Sequence, residues 1–511
     1  MPAHSALADP THAVFGPELA KNLALLGRAL RLPRNRDVVT RNFVAAGAEA
    51  ALLFVDGLVS RDALQQHVLR PCMERTEALG APPQDALSEL ARQTLTASDA
   101  QQVTDADEAI VGLLAGKGLL LMDGCPAALL IDARAPARRG VDKPVNESVV
   151  LGPQEGFVEN LRTNLALVRS GMRSPRLVTE TVALGQGAPT QCAVLYLDGV
   201  AQADVVAEVL RRVRGVAMDY VPGAGQLEQL IEDHPWALFP QICATERPDR
   251  ACSFLVEGQV LVFVDGSPTA LGMPATLQHL IHTADDTYMR WQYGSFLRLI
   301  RTLGMYVAMW LPGAYLALVQ HHQQAFPPVL LVSVYEAQSR MPMPLVTEAL
   351  LMLLAFHLIN EAGLRVPGSL GSSLGVISAL ILGQAAVAAD LVSPLMIIVA
   401  AMAGLGSFVV PDYSMSLAIK LRQILYLLVA NWMGAYGMLM LFLVLHTRLC
   451  MMTSMGVPFM GPISPARPHN PDLLLRLPLW LQKRRAFFAD ARHMARTRGA
   501  VRRWRVKGGR P

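Results

Sequence analysis

The residues of this sequence that could take part in transport are polar groups set in apolar surroundings. Glu348, Asn360 and Glu361 lie in or beside one apolar stretch, and Gln384 interrupts another. Polar side chains are costly to place in lipid, so they usually face a protein interior or a water-filled path. Glu348 and Gln384 lie deepest and are candidates for a pore or a subunit contact. For Glu361, a position among lipid headgroups at the end of a span is an equally good interpretation.

Three enzyme motifs are absent from the sequence: GxxxxGK[ST], HExxH and a GxGxxG that follows a strand. The adjacent His321 and His322 could bind a metal or respond to pH, but a polar loop between membrane segments is favoured. Four Asp-Gly pairs could supply carboxylates to a metal, at Asp56, Asp123, Asp198 and Asp265. We favour strand-ending turns for these pairs, and we expect no catalytic residue, metal or cofactor.

The apolar residues are concentrated in the last third of the chain. The composition is 52% hydrophobic and 17% charged, which fits a mixture of water-soluble and membrane-embedded parts. Four runs lack Asp, Glu, Lys and Arg: Thr302–Gln320, Val366–Ala389, Leu391–Pro411 and Gln423–Thr447. Each is about long enough to cross a hydrocarbon core of about 30 Å.

The number of membrane crossings is left open by the sequence. We expect spans near 303–319, 372–389, 394–410 and 423–446. Residues 326–360 could form two spans, two re-entrant segments or one interfacial helix. The start of the chain has no signal peptide, so we expect a cytosolic N-terminal part. The C-terminal tail is rich in Arg and should also stay in the cytosol, which requires four or six crossings, with six preferred.

That basic tail accounts for the net charge of +4. We expect it to be solvated, with contact to anionic lipid as the alternative. It does not indicate nucleic-acid binding, because no aromatic residues are interleaved with base-reading side chains. The six cysteines show no metal-ligand spacing and are expected to be reduced.

An internal repeat organises the first 280 residues. The segment Ala51–Gly57 (ALLFVDG) recurs as Ala193–Gly199 (AVLYLDG), and Leu113–Leu129 recurs as Leu255–Leu271, both at an offset of 142 residues. Two motifs that share one spacing indicate duplication of a whole unit. Within each unit we expect a strand ending in Asp-Gly, then a helix, then two short strands around a glycine turn.

The fold class we predict is a duplicated α/β (or α+β) cytosolic domain followed by an all-α multi-span membrane domain. The expected divisions are an N-terminal arm at 1–41, subdomains at 42–145 and 146–278, a juxtamembrane segment at 279–302, a membrane domain at 303–447 and a basic tail at 448–511.

Seven segments resemble one family, the A subunits of GerA-type spore germinant receptors with their stage V sporulation AF relatives. They are Gly152–Arg169, Thr245–Asp249, Val264–Pro268, Glu348–Pro367, Gly383–Pro394, Ser407–Ser416 and Gly456–Pro465. The first three contain candidates for an assembly contact or a structural motif: Glu155, Asn160, Asn164, Glu246, Arg247, Asp265, Gly266 and Pro268. Glu246 and Arg247 could instead form a local ion pair.

The resemblance implies a multi-pass protein of the spore inner membrane. Such A subunits work with a permease-like B subunit and a C-subunit lipoprotein, and are thought to oligomerise into a ligand-gated channel for monovalent cations. Two alternatives stay open: an auxiliary germination channel of the stage V AF type, and a non-conducting membrane scaffold.

Overall fold

The computed structural model describes residues 13–75, 86–96, 99–134, 149–365, 381–466 and 475–485, together with residues 143, 144, 147, 472, 489, 491, 492 and 495. Its N-terminal part contains two sheet units, and its C-terminal part is a bundle of apolar helices.

The first unit is a five-stranded sheet with helices on both faces. Its strands are β1 (Val38–Ala45), β2 (Ala48–Val55), β3 (Ala100–Val103), β4 (Lys117–Met122) and β5 (Ala128–Asp132). Its helices are α1 (Leu19–Ala29), α2 (Arg61–Leu64), α3 (Arg70–Glu74), α4 (Ala86–Gln93) and α5 (Ala106–Leu114), with a π-helical turn at Gln65–Leu69 between α2 and α3. The strand order is β1-β2-β4-β5-β3, and all neighbours are antiparallel.

Both faces of the sheet are buried at the central strands β2, β4 and β5, which explains why these strands are largely apolar. Along β2, Leu52 and Phe54 join the core under α2 and α4, whereas Ala51 and Leu53 join the core under α1 and α5. The period of two along a strand sends successive side chains to opposite faces.

The second unit repeats this architecture. Its strands are β6 (Leu177–Leu184), β7 (Thr190–Leu197), β8 (Cys243–Thr245), β9 (Val260–Val264) and β10 (Ala270–Met273). Its helices are α6 (Leu161–Gly171), α7 (Ala203–Arg214), α8 (Ala224–Ile231) and α9 (Pro248–Glu257). The order β6-β7-β9-β10-β8 matches that of the first sheet. The structure therefore confirms the predicted duplication.

The repeat begins earlier than predicted. The carboxylate of Asp123 accepts the Leu19 N–H at 3.0 Å. The carboxylate of Asp265 accepts the Leu161 N–H at the same distance, and both residues lie 142 positions after their counterparts. Helix α1 thus corresponds to α6, and Leu26 is fully buried in the first unit. The arm expected at 1–41 is wrong for residues 13–41, because an amphipathic helix next to a sheet can bury its apolar face.

Of the two short strands expected around each glycine turn, the second is present as β4 or β9, but the first is wrong. In each unit a helix, α5 or α9, ends at the glycine, and a strand begins just after it. Gly116 and Gly258 have φ of +91° and +95°, the left-handed conformation that commonly ends helices. A short apolar run before a glycine does not distinguish a helix end from a hairpin.

The remaining elements form the helix bundle and its connections. The helices are α10 (Leu277–Ile281), α11 (Asp285–Tyr288), α12 (Trp291–Gln320), α13 (Pro328–Ser339), α14 (Leu345–Arg365), α15 (Pro394–Phe408) and α16 (Tyr413–Met451), with a 3-10 turn at Gln323–Ala325. Residues 381–388 are helical, and a small ribbon of β11 (Thr453–Ser454) and β12 (Val457–Pro458) follows α16.

In the part of the chain that the structure describes, three helices are long and apolar enough to cross a membrane: α12, α14 and α16. Helix α15 is apolar but shorter. Helix α13, with 12 residues or about 18 Å, is too short to span, so residues 326–360 do not form two full spans. Most of the span expected at 372–389 lies outside the described residues, and the total number of crossings stays a prediction.

Helix α16 reverses direction at Gly434 and is a helical hairpin. Gly434 has φ +61° and ψ −149°, far from helical values. The Trp310 ring lies 6.3 Å from the Tyr426 ring and 4.9 Å from the Phe442 ring. Tyr426 and Phe442 would be about 24 Å apart along an unbroken helix. The single span expected at 423–446 is therefore wrong.

The two arms of the hairpin cover 413–433 and 435–451. They are about 31 Å and 26 Å long, close to the thickness of a hydrocarbon core. One apolar core joins this bundle to one face of the second sheet, from Phe263 on β9 through Ile281 to Met305 on α12. The second unit and the bundle are thus joined by direct packing.

Candidate functional site

Three of the family-like segments converge on the N-terminus of α6. Asn160 caps this helix by accepting the Thr163 N–H at 3.0 Å, and the Gly266 N–H donates to the Glu159 carbonyl at 2.8 Å. Asn164, fully buried, exchanges two hydrogen bonds with the backbone of Val158 at 2.8 and 2.5 Å. Together with the Asp265 contact, these bonds hold the segment that enters α6 against the sheet.

Most of these bonds have a counterpart in the first unit. Asn22 exchanges the same two bonds with Gly16, at 3.0 and 2.7 Å, and Gly124 donates to Pro17. A feature that recurs in both units is explained by the repeated fold. We therefore interpret Asn160, Asn164, Asp265 and Gly266 as a structural motif.

Arg247 is peculiar to the second unit, where it is 1% exposed. It makes a two-bond ion pair with Asp249, at 3.0 and 2.9 Å, and donates to the Pro153 carbonyl at 2.8 Å. The ion pair considered between Glu246 and Arg247 is therefore replaced by one with Asp249. Glu246 contributes its backbone, since its carbonyl accepts the Phe157 N–H at 2.7 Å.

Two further motif residues lie outside this network of bonds. Glu155 is exposed and Pro268 is partly buried. A role of Glu155 or Pro268 in assembly stays a prediction.

A buried charge cluster lies where the second unit meets α12. Asp286 is fully buried and pairs with Arg298 at 3.0 Å and with Arg301 at 2.9 Å. Burial opposes the charge of Asp286, but the two guanidinium groups outweigh it and hold the pKa of Asp286 below its ordinary value. Arg298 also pairs with Asp472 of the tail. The cluster ties three parts of the chain together.

The tail packs onto the second unit instead of being solvated throughout. Arg476 is 5% exposed and donates to the backbone carbonyls of Asp286 and Thr287. Arg485 donates to the Val256 carbonyl at 2.6 Å. The expectation of a solvated tail is wrong for these described residues, because a guanidinium with several donors can satisfy buried carbonyls.

Next to this cluster, a polar cavity of about 80 Å³ is lined by residues that include Asp249, His279 and Arg298. His279 lies edge-on to the Phe254 ring at 4.6 Å. Burial, reinforced by the charge of Arg250, lowers the pKa of His279 well below its ordinary value, so the imidazole is neutral.

Glu348 is not on an exposed face of the bundle. It is 1% exposed, and its carboxylate accepts both the N–H and the hydroxyl of Ser393 at 2.7 Å. Ser393 in turn caps α15 by accepting the Met396 N–H at 3.3 Å. Glu348 therefore joins α14 to the start of α15. Sequence reasoning did not single out Ser393, although a serine before Pro394 is a recognisable cap.

The other predicted polar residues are more accessible. Gln384 and Glu361 are exposed on helical segments, and Asn360 is partly buried. Glu361 interacts electrostatically with Lys420 of α16. The structure does not bring Gln384 or Glu361 into contact with Glu348.

The adjacent histidines meet the tip of the hairpin. A ring nitrogen of His321 lies 3.1 Å from the Asn431 carbonyl, and one of His322 lies 3.3 Å from the Ala435 nitrogen. These contacts fit the loop interpretation. Among the residues that the structure describes, no three His, Cys, Asp or Glu side chains are grouped as metal ligands.

Comparison with known proteins gives one family model, described as Bacillus/Clostridium GerA spore germination protein, which matches residues 28–488. Spore germination protein B1 of Bacillus subtilis (strain 168) is 36% identical over 474 residues, covering 92% of this chain and 96% of that protein. Spore germination protein KA of the same organism is 30% identical over 476 residues, covering 92% and 87%.

A solved structure is also similar in part. It is the crystal structure of the N-terminal domain of the A subunit of the Bacillus megaterium spore germinant receptor GerK3. The match covers 52% of this chain and 98% of that one, with 28% identity and a TM-score of 0.41.

Proposed function

Because the chain belongs to the GerA family of spore germination proteins, we propose that it is the A subunit of a germinant receptor in the spore inner membrane. It acts there with a permease-like B subunit and a C-subunit lipoprotein. The observation that carries this proposal is the match over residues 28–488, which includes both sheet units and the helix bundle.

The proposed activity is a nutrient-gated pore for monovalent cations, formed by several copies of the chain. Gln384 and Glu361 are exposed on the helices of a single copy, where contact with lipid would be costly. Neighbouring copies would turn these side chains toward a shared aqueous path, with Asn360 beside them. Carboxylate and amide oxygens can replace part of the hydration shell of a cation.

Glu348 has a different role in this proposal. Its carboxylate is enclosed and engaged by Ser393, so it positions α15 instead of lining the pore.

Both ends of the chain are proposed to lie in the cytosol. The tail contacts the second unit through Arg476 and Arg485, so the units and the tail are on one side of the bundle. This supports an even number of crossings. The excess of arginine in the tail favours the cytosolic side.

The test is current recorded from the full chain in planar bilayers, with and without the B and C subunits and nutrient. We expect the double variant Glu361→Gln, Gln384→Ala to reduce cation current. Glu336→Gln, an exposed glutamate on α13, is the matched control and should leave it unchanged.

The other outcomes identify the competing functions. Current from the chain alone, without nutrient, would indicate an auxiliary channel. An oligomer that carries no current in any combination would indicate a scaffold and overturn the proposed pore.

A further inference from the structure

One loop of the second unit has large apolar side chains that are exposed on the protein surface. It covers residues 232–242, between α8 and β8, and we call it the Trp236 loop. Trp236 is 97% exposed and Leu238 is 47% exposed. Exposed large apolar side chains that lie next to one another often mark a site of contact with another protein, a ligand or a membrane.

The Trp236 loop is closed by hydrogen bonds within the single chain. Gln241, itself buried, closes it by accepting the His234 N–H at 2.9 Å and donating to the His234 carbonyl at 2.7 Å. The Ala237 N–H also donates to the His234 carbonyl at 2.9 Å, which forms a turn. A preformed loop loses little conformational entropy when its tip binds.

The structure fixes this loop to the base of the α16 hairpin. The Thr453 hydroxyl, two residues beyond the end of α16, donates to the Asp233 carboxylate at 2.7 Å. The Ser454 hydroxyl donates to the Gln241 carbonyl at 2.6 Å. Both ends of the loop are therefore held where the second arm of the hairpin leaves the bundle.

A further contact joins the loop to the first arm of the α16 hairpin. The guanidinium of Arg422 lies 3.9 Å from the centre of the Phe239 ring. Arg422 lies within the first arm, and the charge-free run that includes the turn at Gly434 begins after it. On the outside of this arm, Leu417, Leu421 and Leu425 are exposed at successive turns. The loop is thus attached to an arm that carries an exposed apolar surface.

We propose that the Trp236 loop is a lipid anchor. Trp236 and Leu238 enter the boundary between headgroups and acyl chains in the leaflet that faces the sheet units. Tryptophan favours this boundary because its ring is apolar and its N–H can donate to polar groups there. The anchor holds the second unit against the membrane in addition to its contacts with the bundle.

Lipid suits this surface better than a second copy of the chain. A stable protein interface buries roughly 800 Å² on each partner, far more than one tryptophan and one leucine can provide. The charges at the loop are mixed, since Asp233 pairs with Arg212 and Arg422 lies on the Phe239 ring, so the anchor should not select anionic lipids. The proposal requires only that the bundle lies in a membrane, and it is independent of cation conduction.

The test uses the full chain in phosphatidylcholine nanodiscs, with Trp236 as the only tryptophan and the other five replaced by Phe. We expect emission at short wavelength and quenching by lipids brominated on the acyl chain. The solvent control carries Tyr220→Trp and Trp236→Phe, since Tyr220 is exposed beside the β6–β7 turn at the opposite end of the sheet. Addition of anionic lipid should not change the quenching.

Two results would overturn the anchor. Emission from Trp236 like that of the Tyr220→Trp control would show that the loop is in water. A short-wavelength emission without bromolipid quenching, seen only in nanodiscs holding more than one copy, would show that another chain covers it. If the multiple replacement does not give monodisperse protein, the difference in quenching between the wild type and Trp236→Phe answers the same question.

Discussion

Polar side chains, some buried and some exposed, hold the starts of several helices of this protein. Glu348 and Ser393 fix the start of α15, and Asp265 fixes the start of α6. Asp412 caps α16 by accepting the Met415 N–H at 2.8 Å. Free N–H groups at a helix start need partners when water is excluded, so acidic and hydroxyl residues recur at these positions.

Removal of one such carboxylate should destabilise the bundle. We predict that Glu348→Ala lowers the free energy of unfolding by about 1–3 kcal/mol, because the N–H and hydroxyl of Ser393 lose their buried acceptor. Thermal unfolding in nanodiscs measures this change. Glu336→Ala, at an exposed position on α13, is the control. Equal unfolding midpoints for both variants would show that the contact between Glu348 and Ser393 does not contribute to stability.

A second residue-scale prediction concerns pH. Burial, reinforced by Glu232 and Asp412, raises the pKa of Glu228 to about 8, from an ordinary 4.5. With its folded pKa above its unfolded pKa, Glu228 contributes stability that is fully present below pH 4.5 and is lost as the pH rises toward 8. Glu228→Gln should therefore raise the unfolding midpoint at pH 8 and leave it nearly unchanged at pH 4.

Glu208 provides a control of opposite sign. Hydrogen bonds from Arg211 and Arg212 lower the pKa of Glu208 to about 2. The stability that ionised Glu208 contributes is present above the ordinary pKa of 4.5 and is lost as the pH falls toward 2. Glu208→Gln should therefore lower the unfolding midpoint at pH 8. If both variants shift the midpoint at pH 8 in the same direction, the explanation by burial of Glu228 is wrong.

At the scale of elements, the reversal within α16 is the main departure from sequence expectation. Residues 423–447 are charge-free and of suitable length for one span. Glycines are common in membrane helices, so Gly434 and Gly437 gave no signal that one of them turns the chain. The packing of both arms on Trp310 stabilises the turn.

Spin labels at Leu417 and Met451 should distinguish a hairpin from a rod. Both positions are exposed, and an unbroken helix would place them about 51 Å apart. We expect electron–electron double resonance to give less than half of that distance, in a background without native cysteines. Gly434→Ala should disturb the turn, because a Cβ there would lie 2.9 Å from that of His321. A distance near the rod value in the unmodified turn would exclude the hairpin.

At the scale of the whole molecule, ion pairs join the two units. Arg169 of α6 is 1% exposed and pairs with Asp37 of the first unit at 2.6 Å. Arg31 of the first unit pairs with Asp198 of the second at 3.0 Å. The units should therefore move as one body, which transmits a change in one unit to the bundle through the other.

Loss of the buried ion pair between Arg169 and Asp37 should weaken the contact between the two units. We predict that Arg169→Met lowers the free energy of unfolding by about 3–5 kcal/mol, because Asp37 stays buried without its counter-charge. Hydrogen exchange should rise in α6 and β1, and the thermal midpoint should fall. Arg173→Met, at an exposed arginine four residues away, is the matched control. Unchanged hydrogen exchange at α6 and β1 in Arg169→Met would contradict the proposal that this ion pair holds the two units together.

The sequence alone determined the division into sheet units and membrane helices, the repeat with its spacing of 142 residues, and the family-like segments. These features depend on local hydrophobicity and on order along the chain. Only the tertiary structure decided that residues 13–41 belong to the first unit, that Glu348 is enclosed by Ser393 and that α16 folds back. Each of these depends on contacts between residues distant in sequence, and local composition does not encode which distant partner a side chain meets.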